Sequence, residues 1–235
     1  MLVSIVIPVF NEEAFIKEIL IRINKVAQIN KEIIVINDCS TDNTLKILKE
    51  ECKNLYTKLI SNTKNMGKGF SVKEGFKYAT GEIILIQDAD LEYNPENYLK
   101  LVDPIINQEA NVVYGSRVLE GGIRIRPKIY DSKARLFANN FLTFLSNFLN
   151  NQNLTDCHTC YKVFLSSVLK KIKLKEDGFA FCPEVTAKIS RLGIKIKEVP
   201  IDYFGRTHAE GKKIVFIDGI KAVFAIIKYN VFKKT

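Results

Sequence analysis

The sequence predicts an α/β fold, a mostly parallel central sheet flanked by helices, on three observations. Short β-branched runs alternate with segments of helical period through the first half, which is the pattern of right-handed βαβ units. The strong runs end in amides and carboxylates. The chain, 235 residues with 47% hydrophobic side chains, is long enough to bury a core without disulfide or metal staples. One domain spanning 1–235 is expected.

Val3 to Val9 is the first run and Glu32 to Ile36 the second. Between them, Glu12 to Ala27 sets Phe15, Ile19, Ile23 and Val26 at helical spacing. After the second run, Ser40 or Thr41 caps a helix carrying Leu45, Leu48 and Cys52. Tyr56 to Ile60 reads as a weaker strand, Gly67 to Ala79 as a helix and Glu82 to Ile86 as a strand. Asn94-Pro95 joins a cap to a first-turn proline, and Val112 to Gly115 closes the series. In the second half, Ala134 to Leu149 and Ile214 to Phe232 read as amphipathic helices. The first sets Leu136, Phe137, Phe141, Phe144, Leu145 and Phe148 on one side; the second sets Val215, Ile220, Val223, Phe224, Ile227 and Val231 against Lys221 and Lys228.

The strand ends Asn11-Glu12, Asn37-Asp38 and Asp88-Ala89-Asp90 fall at the carboxyl edge of a parallel sheet, where ligands bind. Asp and Asn also favour turns and caps, but three coinciding polar ends point to a ligand crevice. Asn65-Met-Gly-Lys-Gly69 leading to Gly75 matches neither the dinucleotide spacing G-x-G-x-x-G nor the phosphate loop G-x-x-x-x-G-K-[ST], so both of those nucleotide folds are disfavoured. Asp88 and Asp90 follow the apolar strand Ile83-Ile84-Leu85-Ile86. At i and i+2 of an extended segment they project to one side. Two hard oxygen donors of this kind suit Mg²⁺ or Mn²⁺ shared with substrate phosphates.

Charge divides the chain. Residues 1–110 hold 13 Lys and Arg against 16 Asp and Glu, and residues 111–235 hold 22 against 10. A basic second half suits anionic lipid, a phosphorylated ligand or nucleic acid, or is simply a solvated surface; the lack of any RNP-type, helix-turn-helix or zinc-finger pattern disfavours nucleic acid. The Phe-rich helices and the Lys233-Lys234 ending favour peripheral contact with an anionic membrane. No run of eighteen apolar residues offers a span. Five scattered Cys and the lack of a signal-peptide pattern predict a cytoplasmic protein at the inner membrane face. Cys157-His-Thr-Cys160 lacks the second pair a zinc site needs and reads as a loop on the acceptor side.

Taken together, Ser4-Ile-Val-Ile-Pro-Val-Phe-Asn-Glu-Glu13, Val35-Ile-Asn-Asp-Cys-Ser-Thr-Asp42, Asn65-Met-Gly-Lys-Gly69, Gln87-Asp-Ala-Asp-Leu91, Gly115-Ser-Arg117 and Glu198-Val-Pro-Ile-Asp-Tyr203 followed by Arg206 resemble, in order, the family 2 nucleotide-sugar glycosyltransferases of GT-A fold. The resemblance is strongest to the dolichyl-phosphate mannose synthase and polyprenyl-phosphate glycosyltransferase branch. It implies a metal-dependent, inverting hexosyl transfer from a UDP- or GDP-sugar to a polyprenyl phosphate. By the same resemblance 1–115 is the nucleotide-sugar half and 116–235 the acceptor-binding, membrane-facing half. Pro8, Phe10, Asn11, Glu12 and Asp38 would surround the nucleoside, with Ile36 near the base, and Lys68 and Ala89 fall in the matching stretches. Asp88 and Asp90 would hold Mg²⁺ or Mn²⁺ with Glu92 at the metal side, while Arg117, Arg206 and Lys212 would meet phosphate charge. Where mannose synthases carry Asp-x-Thr-Ser-Gly-x-Arg, this chain has Asp156-Cys-His-Thr-Cys-Tyr-Lys162. A phosphate acceptor, with a second pKa of about 6, arrives anionic and needs no strong base; a glycan or glycerolipid hydroxyl needs one, and Asp156 or Glu184 are the candidates. A non-catalytic nucleotide-sugar-binding protein is the third alternative.

Overall fold

A computed structural model describes residues 1–125, 133–206 and 216–231, with the backbone alone at 124–125, 133–137 and 216–218. In chain order the first half runs β1 (Val3–Val9), α1 (Ile16–Lys25), β2 (Lys31–Asn37), α2 (Thr44–Glu50), β3 (Lys58–Ser61), α3 (Lys68–Tyr78), β4 (Ile83–Ile86), a 3-10 turn (Pro95–Asn97), α4 (Tyr98–Ile106) and β5 (Val112–Ser116). The second half adds β6 (Arg124–Ile125), α5 (Lys133–Asn150), β7 (Lys162–Leu165), α6 (Ser166–Leu169), α7 (Phe181–Arg191), β8 (Lys197–Pro200), β9 (Tyr203–Phe204) and α8 (Phe216–Val231).

Seven strands form one sheet in the order β3-β2-β1-β4-β7-β5-β8, and β6 pairs with β9 in a separate ribbon. Every neighbour in the large sheet is parallel except β7, which runs antiparallel between β4 and β5. β1 and β4 are buried along their whole length, as expected of strands covered on both faces. One face packs Ile5, Ile7, Leu85 and Val163 under α1 and α4; the other packs Val6, Ile84, Ile86 and Phe164 against Val72, Val185 and Ile189. α3 lies so close to the sheet that a Cβ on Gly75 would come within 2.3 Å of Val6 Cγ1. The register pairs Val9 with Asn37 and Val6 with Ile86, so the polar ends of β1, β2 and β4 open on one edge.

Three sequence expectations are corrected. The first helix begins at Ile16 rather than Glu12: Asn11 has φ 49°, and the Glu12 carbonyl accepts from Phe15 and Ile16 N–H in a turn. Neither Ser40 nor Thr41 caps α2, which starts at Thr44. Cys39 has φ 58°, and Asp42 Oδ1 accepts the Thr44 N–H at 3.0 Å, while Ser40 and Thr41 bond to Asn11 instead. The Asp88 to Asp90 segment bends at Ala89 rather than continuing extended. Strand β7 and helix α7 add elements that periodicity did not announce.

α5 and α8 are the two expected amphipathic helices. They pack on each other through Leu142, Leu145 and Leu149 against Ala222, Val223 and Ile226. Phe141, Phe144 and Phe148 of α5 remain 48%, 67% and 74% exposed, and Phe224 of α8 69%. Leu136 and Phe137 side chains, Val215 and the Lys233-Lys234 ending lie outside the described residues. Among the described residues no helix is long and apolar enough to cross a membrane.

Candidate active site

The loops at the carboxyl edge are fixed by the backbone before any charge is considered. Asp38 N donates to Val9 O at 2.7 Å, locking β2 to β1 where both strands end. The Asp38 carboxylate, buried, accepts from Asn62 Nδ2 at 2.7 Å, Met66 N at 2.9 Å and Gly67 N at 2.7 Å. It shapes the 62–67 loop from inside. Gly67 has φ 95°, and a Cβ there would meet Asp177 O at 2.6 Å, so only glycine lets the 175–178 loop close over α3. Pro8 and Ile36 are partners in the β1–β2 ladder, and both are buried; Phe10 and Asn11 sit partly exposed at the rim.

Asp88 and Asp90 each meet a cation delivered by a distant segment. Lys68 Nζ, at the start of α3, lies 2.5 Å from Asp88 Oδ1 and 3.0 Å from Cys160 Sγ. Arg206 Nη2, just beyond β9, lies 2.6 Å from Asp90 Oδ2. The guanidinium also reaches Glu12 Oε2 at 3.1 Å and stacks 5.1 Å from the Phe15 ring centroid. Glu92 holds this segment in place: its Oε1 accepts the Arg206 N–H at 2.8 Å, and its Oε2 accepts the Tyr203 hydroxyl at 2.9 Å. Ala89 is buried between the two aspartates.

A tyrosine frame supports the pair. Gln87 Oε1 accepts from the hydroxyls of Tyr98 and Tyr161, each at 2.7 Å, and Gln87 Nε2 donates to Asp88 O at 2.9 Å. Tyr93 packs tilted against Tyr161 and edge-on to Tyr203, and its hydroxyl accepts the Cys160 N–H at 3.1 Å.

Protonation follows from these contacts. Burial works against the Asp88 carboxylate, yet the Lys68 charge holds its pKa below the ordinary value, and the Lys68 ammonium is correspondingly held above its own against the same burial. Asp90 goes the other way: burial first, then the charges of Asp88 and Glu92, push it up to about 7 despite Arg206. The Cys160 thiol is pushed up to about 12 by burial and by Asp88, so it is a neutral thiol.

The donor chemistry fits a divalent cation. Asp88 and Asp90, with Glu92 behind them, present hard oxygens whose mutual repulsion a metal relieves. Among the described residues no group of three or more His, Cys, Asp or Glu is arranged to hold a metal. The expected trio of Asp88, Asp90 and Glu92 is not assembled as one: Glu92 is turned to the Arg206 N–H and the Tyr203 hydroxyl, and Asp88 and Asp90 are the two carboxylates that would hold such a cation.

The remaining predicted residues lie elsewhere. Arg117 forms a two-pronged pair with Asp156, Nε to Oδ2 at 2.6 Å and Nη2 to Oδ1 at 2.8 Å, and packs 5.1 Å above the Tyr203 ring. The Asp156 carboxylate is fully buried and, against that burial, the Arg117 charge holds it below its ordinary pKa. Glu184, fully buried on α7, accepts from Lys175 N at 2.7 Å and Glu176 N at 2.8 Å and pairs with Lys188 at 2.7 Å. It is the post on which the 175–178 loop stands. Lys212 lies outside the described residues.

Sequence reasoning missed Cys160, Gln87 and the four tyrosines. The Cys-x-x-Cys spacing drew attention to Cys160, but nothing local shows that residue 160 meets residue 68. Gln87 was readable only as part of a motif.

Comparison with known proteins bears on the family and the fold. Residues 4–173 match the family model described as Glycosyl transferase family 2. A dolichol-phosphate mannosyltransferase of Pyrococcus furiosus is 28% identical over 238 residues, covering 98% of this chain and 65% of the relative. A UDP-N-acetylglucosamine–dolichyl-phosphate N-acetylglucosaminyltransferase of Methanococcus voltae is 29% identical over 255 residues, covering 99% and 97%. Among solved structures, glucosyl-3-phosphoglycerate synthase of Mycobacterium tuberculosis in complex with Mn²⁺ and UDP-glucose superposes with a TM-score of 0.72 at 17% identity, over 99% of this chain and 80% of that one; this likeness shows the GT-A fold. With most of its length under the family match and its sheet in the GT-A arrangement, the chain belongs to glycosyl transferase family 2 and is a transferase.

Proposed function

We propose that the protein is an inverting glycosyltransferase that moves a hexose from a UDP- or GDP-sugar to a polyprenyl phosphate at the inner face of the cytoplasmic membrane. The observation that carries the reading is the pairing of Asp88 with Lys68 and of Asp90 with Arg206 at the carboxyl edge of β1 and β4. Carboxylates for a cation and cations for phosphate stand together there, as a departing nucleoside diphosphate requires. The lipid-phosphate relatives support the choice of acceptor.

In this reading the rim residues Phe10 and Asn11, above the buried Pro8–Ile36 pair, receive the nucleoside, and Asp38 acts by shaping the loop that faces it. Asp88 and Asp90 hold Mg²⁺ or Mn²⁺, which when bound shares the negative charge of the diphosphate. Lys68 and Arg206 turn from the aspartates to the phosphate oxygens as charge grows on the leaving group. Arg117 is held by Asp156 as a fixed positive edge on the acceptor side. Residues 1–115 supply the donor half and residues 116–235 the acceptor half.

A phosphate acceptor is favoured over a hydroxyl because both candidate bases are engaged: Asp156 by Arg117, Glu184 by two backbone amides and Lys188. An anionic phosphate oxygen attacks without proton removal. Exposed Phe141, Phe144 and Phe148 of α5 and exposed Phe224 of α8, with exposed Lys221 three residues before it, would seat the acceptor half on anionic lipid.

One assay tests the reading. The protein is incubated with Mn²⁺, a panel of UDP- and GDP-sugars and either undecaprenyl phosphate or diacylglycerol, and released nucleoside diphosphate and lipid-linked sugar are measured. Transfer to the phosphate is expected. Transfer to diacylglycerol alone would overturn the acceptor assignment, and no binding of any nucleotide sugar would overturn the enzyme.

A further inference from the structure

We infer that Arg206 makes occupation of the Asp88–Asp90 pair by a divalent cation conditional on the arrival of a nucleoside diphosphate. The inference rests on the transferase reading above and adds an order of loading to it.

Four carboxylates, Glu12, Asp88, Asp90 and Glu92, surround this edge of the sheet, and two cations, Lys68 and Arg206, balance them among the described residues. Arg206 is the cation that joins the loops. Its guanidinium touches Glu12 from the β1 loop at 3.1 Å and Asp90 from the β4 loop at 2.6 Å, and its own N–H is held by Glu92 at 2.8 Å. The guanidinium engages one of the two aspartates, Asp90, and ties it to Glu12 across the loops, so Asp90 is not open to a metal ion while that pair stands. A bare metal ion must therefore displace a buried ion pair and leave the guanidinium facing the new positive charge. A diphosphate removes that obstacle. It gives the guanidinium two anionic oxygens in exchange for Glu12 and Asp90, and it supplies the ligands that the two aspartates alone do not. Metal and nucleotide consequently bind with positive coupling, and by linkage each tightens the other by the same factor. Lys68 cannot fill the same role: it meets Asp88 from within α3, with Cys160 as its other contact, and it bridges no second loop carboxylate.

The test is direct Mn²⁺ binding, read from the electron paramagnetic resonance signal of free Mn²⁺, with and without UDP or GDP, in the intact wild-type protein and in Arg206→Gln and Arg206→Lys. Wild type is expected to bind Mn²⁺ weakly alone and about tenfold more tightly or better with nucleotide. Arg206→Gln is expected to bind Mn²⁺ alone about tenfold more tightly than wild type, with the nucleotide enhancement reduced by a similar factor. Arg206→Lys, which keeps the charge but not the fork, is expected to fall between them and carries the test if the glutamine variant melts early. Equal Mn²⁺ affinity in wild type and both variants, with the nucleotide enhancement intact, would overturn the inference while leaving the transferase reading standing. Absence of any nucleotide or Mn²⁺ binding to wild type would overturn both.

Discussion

A carboxylate serves as a general base only while a lone pair is available to the reactant, and Asp156 shows the alternative. Its oxygens are committed to Arg117, and Glu198 accepts from the Thr155 and Asp156 N–H groups to fix the turn that presents it. Asp156→Asn is expected to lower stability by about 3 kcal/mol, because it leaves a buried guanidinium without its counter-charge. Thermal melting and turnover measured together check this: lost turnover with an unchanged melting temperature would restore Asp156 as a base. Two residues on, the His158 imidazole pKa is pushed down to about 4, by burial and then by the Lys162 ammonium, from 6.5. Between those values the unfolded chain binds more protons than the folded one, so stability falls as pH falls through this window. Moving from pH 7 to pH 5 is expected to remove up to about 2 kcal/mol on this group's account. His158→Asn should flatten the dependence of the melting temperature on pH between 7 and 5, and a slope equal to that of wild type would contradict the assignment.

At the scale of elements, the parallel strands of the first half were legible because each is an apolar run with polar flanks. β1 matches the expected Val3 to Val9 to the residue. The starts of α1 and α2 were not, since Asn11 and Cys39 adopt positive φ values that no apolar spacing announces, whereas the Asn94 cap with Pro95 in the first turn was. β7 escaped for a different reason. It begins on Lys162, buried with its ammonium on the Cys157 and Thr159 carbonyls and over the Tyr114 ring, and the three apolar residues that follow are too short a run to identify a strand. The acidic strand ends of the site could be read from the chain, whereas the cations opposite Asp88 and Asp90 come from 20 and 116 residues away, a separation that local pattern does not encode. The close approach of α3 to β1 yields its own prediction. A methyl group at position 75 would overlap Val6, so Gly75→Ala is expected to cost about 1–3 kcal/mol, measurable by denaturant titration; a neutral outcome would show that α3 has room to move away.

At the scale of the molecule, charge and apolar exposure coincide on the second half. A soluble surface seldom leaves a row of phenylalanines uncovered without use, and on α5 three of them recur at positions 141, 144 and 148 while the leucines of the same helix pack on α8. Replacing Phe144, Phe148 and Phe224 together by Ser is expected to weaken binding to anionic vesicles by about a thousandfold or more, because each lost aromatic removes about 1.5–3 kcal/mol of burial in the interface. The melting temperature and nucleotide binding should hold, since these side chains are already in solvent. Unchanged vesicle binding would move the membrane contact elsewhere. The account as a whole depends on the edge where β1 and β4 end, and the measurement that tests it most directly is a crystal structure of the protein with Mn²⁺ and UDP or GDP. The account predicts metal density on Asp88 and Asp90 and diphosphate oxygens within hydrogen-bond reach of Lys68 and Arg206; nucleotide density lodged away from that edge, with both aspartates still paired to their cations, would contradict it.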